Sequence, residues 1–324
     1  MASTQRTRRN VKGRRCVALF VAVAALSASA TAAAAPRLAV RPLIKTNLPL
    51  GDVVAANGHI LYVAEHTGQI EVGGLDGSRP RPFVDLPREG EEVRCVQSPR
   101  KTRFAPGLYC HTAANNIYRV TPSGRVRLFA RLPERRTSDG ALAFDTSGRF
   151  ESTLLAATGR SDDHHGGAVY AIDAYGAVVK LGSYPGPGGA ENAAIAPEGF
   201  GTASGELLLT TDTPSREGRL VAFAPNGRTH VLAEIRDDGL NSLAVLPRRW
   251  NGRRSGVLIA DTLSRTAWFV PARQLRQYAG DVLVAAELRG WLYVIEPGHP
   301  SRATRLDTNL TRSHYNFEGA AVIP

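Results

Sequence analysis

A pattern of apolar runs and glycine turns repeats about every 50 residues in this chain of 324 residues. Each repeat holds an apolar run that ends on an acidic or polar residue, then a short gap, then a second apolar run that closes on a glycine turn. The first kind of run reads ILYVAEH, GLYCHTA, TLLAATG, ELLLTTD, GVLIADT and DVLVAAE, from Ile60, Gly107, Thr153, Glu206, Gly256 and Asp281. Four-stranded units repeated radially at this interval are typical of β-propellers, which protect their strand edges by closing into a ring.

Composition and length favour one all-β domain. The chain has 32 Gly and 20 Pro, and no stretch keeps the period of 3.6 residues that a long helix needs. Residues 36–324 are enough for one ring, and no linker-like segment divides them. We predict an all-β, six-bladed β-propeller with four-stranded blades, and a seven-bladed ring is the alternative.

The last part of the ring is the hardest to assign to blades. Residues 266–272 read TAWFVPA, which is either the third strand of the fifth blade or an innermost strand of the sixth. Residues 41–48 resemble residues 304–310, and a strand-like run follows each of the two segments. We therefore expect the two ends of the domain to share or adjoin the closing blade.

Residues 1–35 have the pattern of an export signal. Six basic residues and no acidic one precede Cys16, and an apolar run rich in Ala, Ser and Thr follows. Small residues at Ala32 and Ala34 predict cleavage after Ala34. The segment from Thr7 to Lys12 resembles a twin-arginine motif, and an ordinary basic leader for the general secretory route is the alternative. The prediction is a secreted, periplasmic or cell-envelope protein that is not inserted in a membrane after processing.

The net charge is small once the signal is removed. Six of the 40 Lys and Arg residues lie in the signal, which leaves 34 against 29 acidic residues, a net charge of +5 rather than +11. The remaining arginines are scattered over predicted turns without the interleaved aromatic residues of single-stranded nucleic-acid sites. We expect a monomer whose partner is a small molecule, and no binding of nucleic acid.

Two cysteines remain after processing. Cys95 and Cys110 fall in the first and second strands of one predicted blade, where antiparallel neighbours face each other. An oxidising compartment favours a disulfide between them, and two free thiols are the alternative.

Propeller geometry locates the chemistry, because the chain has no linear catalytic motif. In each blade the innermost strand starts at the rim where the second strand ends, so these residues converge on one mouth of the central channel. The predicted innermost-strand starts are Asp52, Glu92, Asp139, Glu191, Asn192, Asn241 and Glu318. The predicted second-strand ends are Glu65, His66, His111, Asp212, Asp261 and Glu287. Carboxylate and amide oxygens suit a hard divalent cation, Ca²⁺ above all, whereas the alternative role of such residues is to cap strands and loops.

Three of these segments also resemble a known family. The runs DGALAFDTSG, LNSLAVLP and FEGAAVIP, from Asp139, Leu240 and Phe317, resemble blades of the senescence-marker-protein/gluconolactonase and NHL-like six-bladed propellers. The resemblance implies a divalent cation held by Glu318, Asp139 and either Asn241 or Asn192. It also implies lactone hydrolysis with Asp139 as general base. In this chain Ser242 or Ala193 follows the candidate asparagine, where that family has glycine.

A histidine-containing insertion lies over the same predicted mouth. It reads SDDHHGG at residues 161–167 and joins the second and third strands of the third blade. His164 and His165 are candidates for acid–base catalysis or metal binding, because a neutral imidazole suits both tasks. The alternative is a solvated loop.

Two classes of function follow from these features. The first is a metal-dependent hydrolase of a small lactone or ester, or a lyase acting on a cyclic ester. The second is a non-catalytic exported propeller that binds a ligand or a protein. Fold alone does not separate the two classes, because propellers host both.

Overall fold

The computed structural model describes residues 37–90, 92–134, 139–159, 166–186, 188–213, 217–236, 238–297, 302–310 and 315–324. All of these residues belong to one compact unit, Ala35–Pro324. The predicted export signal at residues 1–35 lies outside the described residues, as does the histidine pair His164 and His165.

Six four-stranded antiparallel sheets form the domain, which confirms the predicted six-bladed propeller. The first blade contains β2 (Leu50–Ala56), β3 (His59–Ala64), β4 (Gln69–Gly74) and β5 (Arg81–Asp85). The second contains β6 (Val93–Gln97), β7 (Leu108–Thr112), β8 (Asn116–Val120) and β9 (Val126–Arg131). The third contains β10 (Asp139–Phe144), β11 (Leu154–Gly159), β12 (Gly167–Ile172) and β13 (Val178–Tyr184). The fourth contains β14 (Gly189–Ile195), β15 (Leu207–Asp212), β16 (Gly218–Phe223) and β17 (Thr229–Ile235).

The strands of the fifth and sixth blades are interleaved along the chain. The fifth blade has the order β18 (Leu240–Val245), β21 (Val282–Ala286), β22 (Leu292–Ile295) and β23 (Ala303–Leu306). The sixth has the order β24 (Phe317–Ile323), β19 (Gly256–Asp261), β20 (Thr266–Pro271) and β1 (Arg41–Lys45). The chain thus leaves the fifth blade after one strand, builds two strands of the sixth and then returns. The TAWFVPA run is a third strand, as one of the two predicted assignments had it, but it belongs to the sixth blade and not to the fifth.

Both ends of the domain meet in the sixth blade, as predicted. The strand β1 pairs with β20 on the outside, and β24 pairs with β19 at the channel. Nearby, Leu38 forms an isolated parallel bridge with Thr308. The ring is closed within this blade, where the N-terminal strand β1 and the C-terminal strand β24 lie on opposite sides of β20 and β19.

Helical structure is minor in the described part of the chain. It consists of α1 (Ala272–Leu275) and of two single 3₁₀ turns, Gly201–Ala203 and Arg276–Tyr278. Among the described residues no helix is long and apolar enough to cross a membrane.

Apolar side chains pack between neighbouring blades. Between the first and second blades, for example, Val63 and Ile70 pack in one cluster with Cys110 and Val120. The innermost strands themselves are rich in alanine, among them Ala55, Ala143, Ala193, Ala194, Ala244 and Ala320. Small residues on these strands leave the centre of the ring open.

Candidate functional site

Charged and amide side chains converge where the innermost strands begin. We call Asp52, Glu92, Arg94, Asp139, Glu191, Asn241 and Glu318 the channel cluster. Glu92 directly precedes β6, and the other six residues lie on β2, β6, β10, β14, β18 and β24. Each of the six blades therefore supplies at least one side chain to this layer of the channel. Asp52, Arg94, Asp139, Glu191, Asn241 and Glu318 are all buried.

Arg94 lies at the centre of the cluster. Its Nη2 atom is 2.8 Å from Glu318, 3.3 Å from Glu191 and 3.4 Å from Glu92, each distance measured to the Oε2 atom. Its Nε–H donates to the backbone carbonyl of Glu191 at 2.8 Å, and Nη1 donates to the carbonyl of Gly51. One guanidinium thus joins residues of the first, second, fourth and sixth blades.

Glu318 accepts hydrogen bonds from three side chains. Its Oε2 accepts hydrogen bonds from Arg94 at 2.8 Å and from the amide of Asn241 at 3.1 Å. Its Oε1 accepts from Asn316 at 2.7 Å. The structure therefore brings together Glu318 and Asn241, two of the four predicted metal ligands.

Asp139 and Asn192, the other two predicted ligands, make different contacts. Asp139 is the first residue of β10 and packs against Gly189, where an added Cβ would lie 2.1 Å from its Oδ2. Its charge contributes to raising the pKa of both Glu92 and Glu191. Asn192 directs its Oδ1 to the backbone N–H of Ala193, at 2.9 Å.

A divalent cation does not fit the cluster as these residues stand. Oxygens of Glu92, Glu191 and Glu318 come within 4.8 Å of one another, which is a spacing that a cation can bridge. However, Nη2 of Arg94 contacts all three carboxylates and lies where the cation would bind. The predicted set of Glu318, Asp139, Asn241 and Asn192 stays a prediction that a metal analysis can test.

Burial raises the pKa of the carboxyl groups in the cluster. It raises the pKa of Asp52 to about 6 and that of Glu318 to about 7, with the charge of Arg94 opposing the rise in both cases. The pKa values of Glu92 and Glu191 rise well above the usual range, because burial is reinforced by neighbouring carboxylates. The acids of the cluster outnumber its one cation, so their charges disfavour one another.

A second pair of acids lies where β15 and β21 end. Asp212 and Glu287 share a hydrogen bond between their side chains, and burial followed by the charge of Asp212 raises the pKa of Glu287 to about 9. Glu287 therefore carries the shared proton at neutral pH. His111, near the end of β7, is buried, and its Nε2 lies 3.0 Å from Oδ1 of Asn115. Burial lowers the pKa of His111 to about 4.

A cavity of about 990 Å³ lies in the channel, and residues of the channel cluster line one end of it. Asp52, Arg94 and Asn192 line its polar floor. Its walls are small and apolar, among them Ala55, Val96, Ala143, Ala194, Ala244 and Ala320. At the opposite rim it reaches the exposed side chains of Arg149 and Glu198. A ligand would enter at that rim, where the innermost strands end, and meet the cluster at the bottom.

The cysteine pair forms the predicted disulfide. Cys95 and Cys110 face each other on β6 and β7 and are bonded. Cys95 also lines the cavity, and its backbone N–H donates to Oδ2 of Asp52 at 2.9 Å. The bridge therefore fixes the strand that carries Arg94.

No family model and no curated protein matches the chain. Solved structures do resemble it. The PQQ-bound aldose sugar dehydrogenase of Streptomyces coelicolor is 13% identical, with a TM-score of 0.58 over 87% of this chain and 88% of that one. Hydrazine synthase of Kuenenia stuttgartiensis is 14% identical, with a TM-score of 0.49 over 84% of this chain and 69% of that one. Sqt1 of Saccharomyces cerevisiae is 14% identical, with a TM-score of 0.42 over 85% of this chain and 65% of its own length. The first similarity supports the propeller fold and, at this identity, nothing finer.

Four residues of the channel cluster were missing from the predicted site, namely Asp52, Glu92, Arg94 and Glu191. Arg94 is the cation of the cluster, and Asp52 lies at the cavity floor, although Asp52 was recognised as an innermost-strand start. The available signal was the segment EEVRCVQ, which puts an arginine inside a strand that faces the channel. A long cationic side chain at such a place needs acidic partners, because burying an unpaired charge is costly.

Proposed function

We propose that the protein is an exported binding protein that holds a small, neutral, oxygen-rich molecule in its central channel. The observation that carries this proposal is the cavity of about 990 Å³, which has a polar floor and small apolar side chains on its walls. Binding sites for small molecules have this size and composition, with a few polar groups that orient the ligand. The aldose sugar dehydrogenase is a protein of this fold that is described with a small molecule, PQQ, bound.

The charge of the floor favours a neutral molecule. Within the part of the chain that the structure describes, the amide nitrogen of Asn192 makes no hydrogen bond, so its two N–H groups can donate to a ligand. Asp52 can accept from a ligand hydroxyl, since each of its oxygens takes one backbone N–H. The excess of carboxylates beneath Arg94 disfavours an anion at the same place. Sugars, cyclic polyols and lactones have the matching chemistry.

Export rests on two features. The predicted signal at residues 1–35 directs the chain out of the cytoplasm, and a disulfide such as Cys95–Cys110 persists in oxidising compartments. Both features support a place of action outside the cytoplasm.

Calorimetry and thermal shift measurements test the binding proposal, with D-glucono-1,5-lactone, D-glucose and myo-inositol as probes. We expect at least one probe to bind the wild type and to raise its stability by about 2.7 kcal/mol at 100 times its Kd. Ala194→Phe puts a bulky ring in the cavity wall and should abolish the effect, whereas Val179→Phe changes an exposed residue on β13 and should not. The proposal fails if none of the three probes binds, or if they bind the Ala194→Phe variant equally well.

Hydrolysis of a small lactone is a second candidate, and the position of Asp52 favours it. A carboxylate with a pKa of about 6 at a cavity floor can take a proton from water as the water oxygen attacks the lactone carbonyl. The amide of Asn192 would then donate to the developing oxyanion, and opening of the ring would release a hydroxy acid. Asp52→Asn should slow hydrolysis of D-glucono-1,5-lactone about 100-fold in a pH-stat assay. Equal rates for the two proteins would exclude this candidate.

A further inference from the structure

We infer that Arg94 takes the place of a divalent cation in the channel, and that its removal exposes a latent cation site formed by Glu92, Glu191 and Glu318. The inference concerns the cluster below the cavity, and it holds whether or not the cavity binds a neutral molecule.

Geometry gives the first argument. Cations such as Ca²⁺ bind oxygens at about 2.3–2.6 Å, so two ligands on opposite sides of one ion are about 5 Å apart. Oxygens of Glu92, Glu191 and Glu318 fall within 4.8 Å of one another. All three can therefore reach a single ion, and Nη2 of Arg94 lies 2.8 to 3.4 Å from the three carboxylates.

Connectivity gives the second argument. A metal ion in a channel can hold several blades together through its ligands. Arg94 does the same through Glu318 of the sixth blade, Glu191 of the fourth and the carbonyl of Gly51 in the first. Because the guanidinium is covalently attached to β6, neither dilution nor a chelator can remove it.

Most donors of Arg94 are used within the protein, which argues against a role in binding an anion from the cavity. Among the described residues, Nε and Nη1 each make one hydrogen bond to a backbone carbonyl and Nη2 makes two to carboxylates, so four of the five N–H groups donate to protein oxygens. An anion that needed more than the one remaining N–H would have to displace a buried carboxylate or carbonyl, and it would bring one more negative charge to a cluster that already has an excess of acids.

Charge explains why removal of Arg94 would create a cation site. Arg94→Ala leaves three carboxylates, of which Glu191 and Glu318 are buried, without their cation and opens space among them. Loss of one partner of a buried ion pair is strongly destabilising, and a divalent cation can restore the balance. Arg94→Lys keeps a positive charge in the same place and is the matched control.

The test compares the Tm of the mature wild type, Arg94→Ala and Arg94→Lys in EDTA, in CaCl₂ and in MnCl₂, with metal content measured after dialysis. We expect the wild type and Arg94→Lys to be indifferent to all three conditions and to contain no stoichiometric metal. Arg94→Ala should melt lower in EDTA and gain about 5 °C or more with Ca²⁺ or Mn²⁺. Adding Glu191→Gln to Arg94→Ala should remove most of that gain.

Every other result decides for or against the inference. A stoichiometric divalent cation in the wild type, or a fall in its Tm in EDTA, would show that Arg94 has not replaced the metal. If Arg94→Ala folds and gains nothing from either metal, the latent site does not exist. If Arg94→Ala folds only when Ca²⁺ or Mn²⁺ is present during refolding, the site is supported, and failure to fold with metal and without it counts against the site.

Discussion

Acidic side chains fit into the channel because glycines on other strands make room for them. A Cβ added to Gly189 would lie 2.1 Å from Oδ2 of Asp139, and one added to Gly319 would lie 2.1 Å from Oδ1 of Asp52. Gly239 stands in the same relation to Oδ1 of Asp212, at 2.2 Å. At these places glycine is required by close approach, since a methyl group would overlap with a buried carboxylate.

Gly319→Ala should destabilise the protein by about 1–3 kcal/mol, because its Cβ would also lie 2.7 Å from the Cα atom of Asp52 and the two strands would have to separate. Denaturant unfolding measures the change. Gly252→Ala is the control, since this glycine lies in an exposed loop where the near contact is the hydroxyl of Ser255. Equal stability of Gly319→Ala and the wild type would contradict the packing described for the channel.

The pair of Asp212 and Glu287 should make the protein less stable in alkali. Burial raises the pKa of Glu287 from 4.5 to about 9, so the folded state holds a proton that the unfolded chain releases at lower pH. The stabilisation is complete below about pH 4.5 and is lost as the pH rises through 9. Glu287→Gln, which cannot ionise, should flatten the fall in Tm between pH 7 and about 10. An unchanged slope in this variant would show that another group is responsible.

Part of the site was predictable at the level of residues. The rule that innermost-strand starts converge is enough to place Glu318, Asp139 and Asn241 in one layer of the channel. It cannot show that Arg94 would reach Glu191 and Glu318, because that contact depends on the radius of the ring and on the rotamer of a long side chain. A pattern of acids and amides is equally consistent with a metal ion and with a guanidinium.

The interleaving of the strands of the last two blades along the chain is the main departure from the predicted fold. The runs at β19 and β21 are alike, since both are short and apolar. The strand β19 ends on Asp261, and Glu287 directly follows β21. Local sequence therefore cannot show which of them pairs with β18 and which with β24. The six blades and the shared closing blade were predictable because they depend on the number and spacing of the runs.

The disulfide should contribute about 3 kcal/mol, because it links residues 15 positions apart in the chain. The double variant Cys95→Ala, Cys110→Ala tests this without leaving a free thiol, and denaturant unfolding gives the free energy change. The wild type under reducing conditions should lose a similar amount. A loss well below 1 kcal/mol would mean that the pairing of β6 with β7 is sufficient by itself to hold Cys95 and Arg94 in place.

The described domain is a ring with a charged layer across its channel and an open cavity on one side of that layer. The layer depends on all six blades, since each contributes a buried polar residue to it. The cavity depends on the alanine-rich innermost strands, which do not fill the centre. Together these features provide a small, walled space with polar groups at its bottom, which is the basis of the proposed binding function.

A crystal structure of the mature protein soaked with D-glucono-1,5-lactone, D-glucose or myo-inositol tests this account most directly. We expect electron density for at least one of these molecules in the cavity, within hydrogen-bond distance of Asn192, with Arg94 still bound to Glu318. Density at another surface, or an empty channel with all three molecules, would contradict the claim that the channel is the binding site.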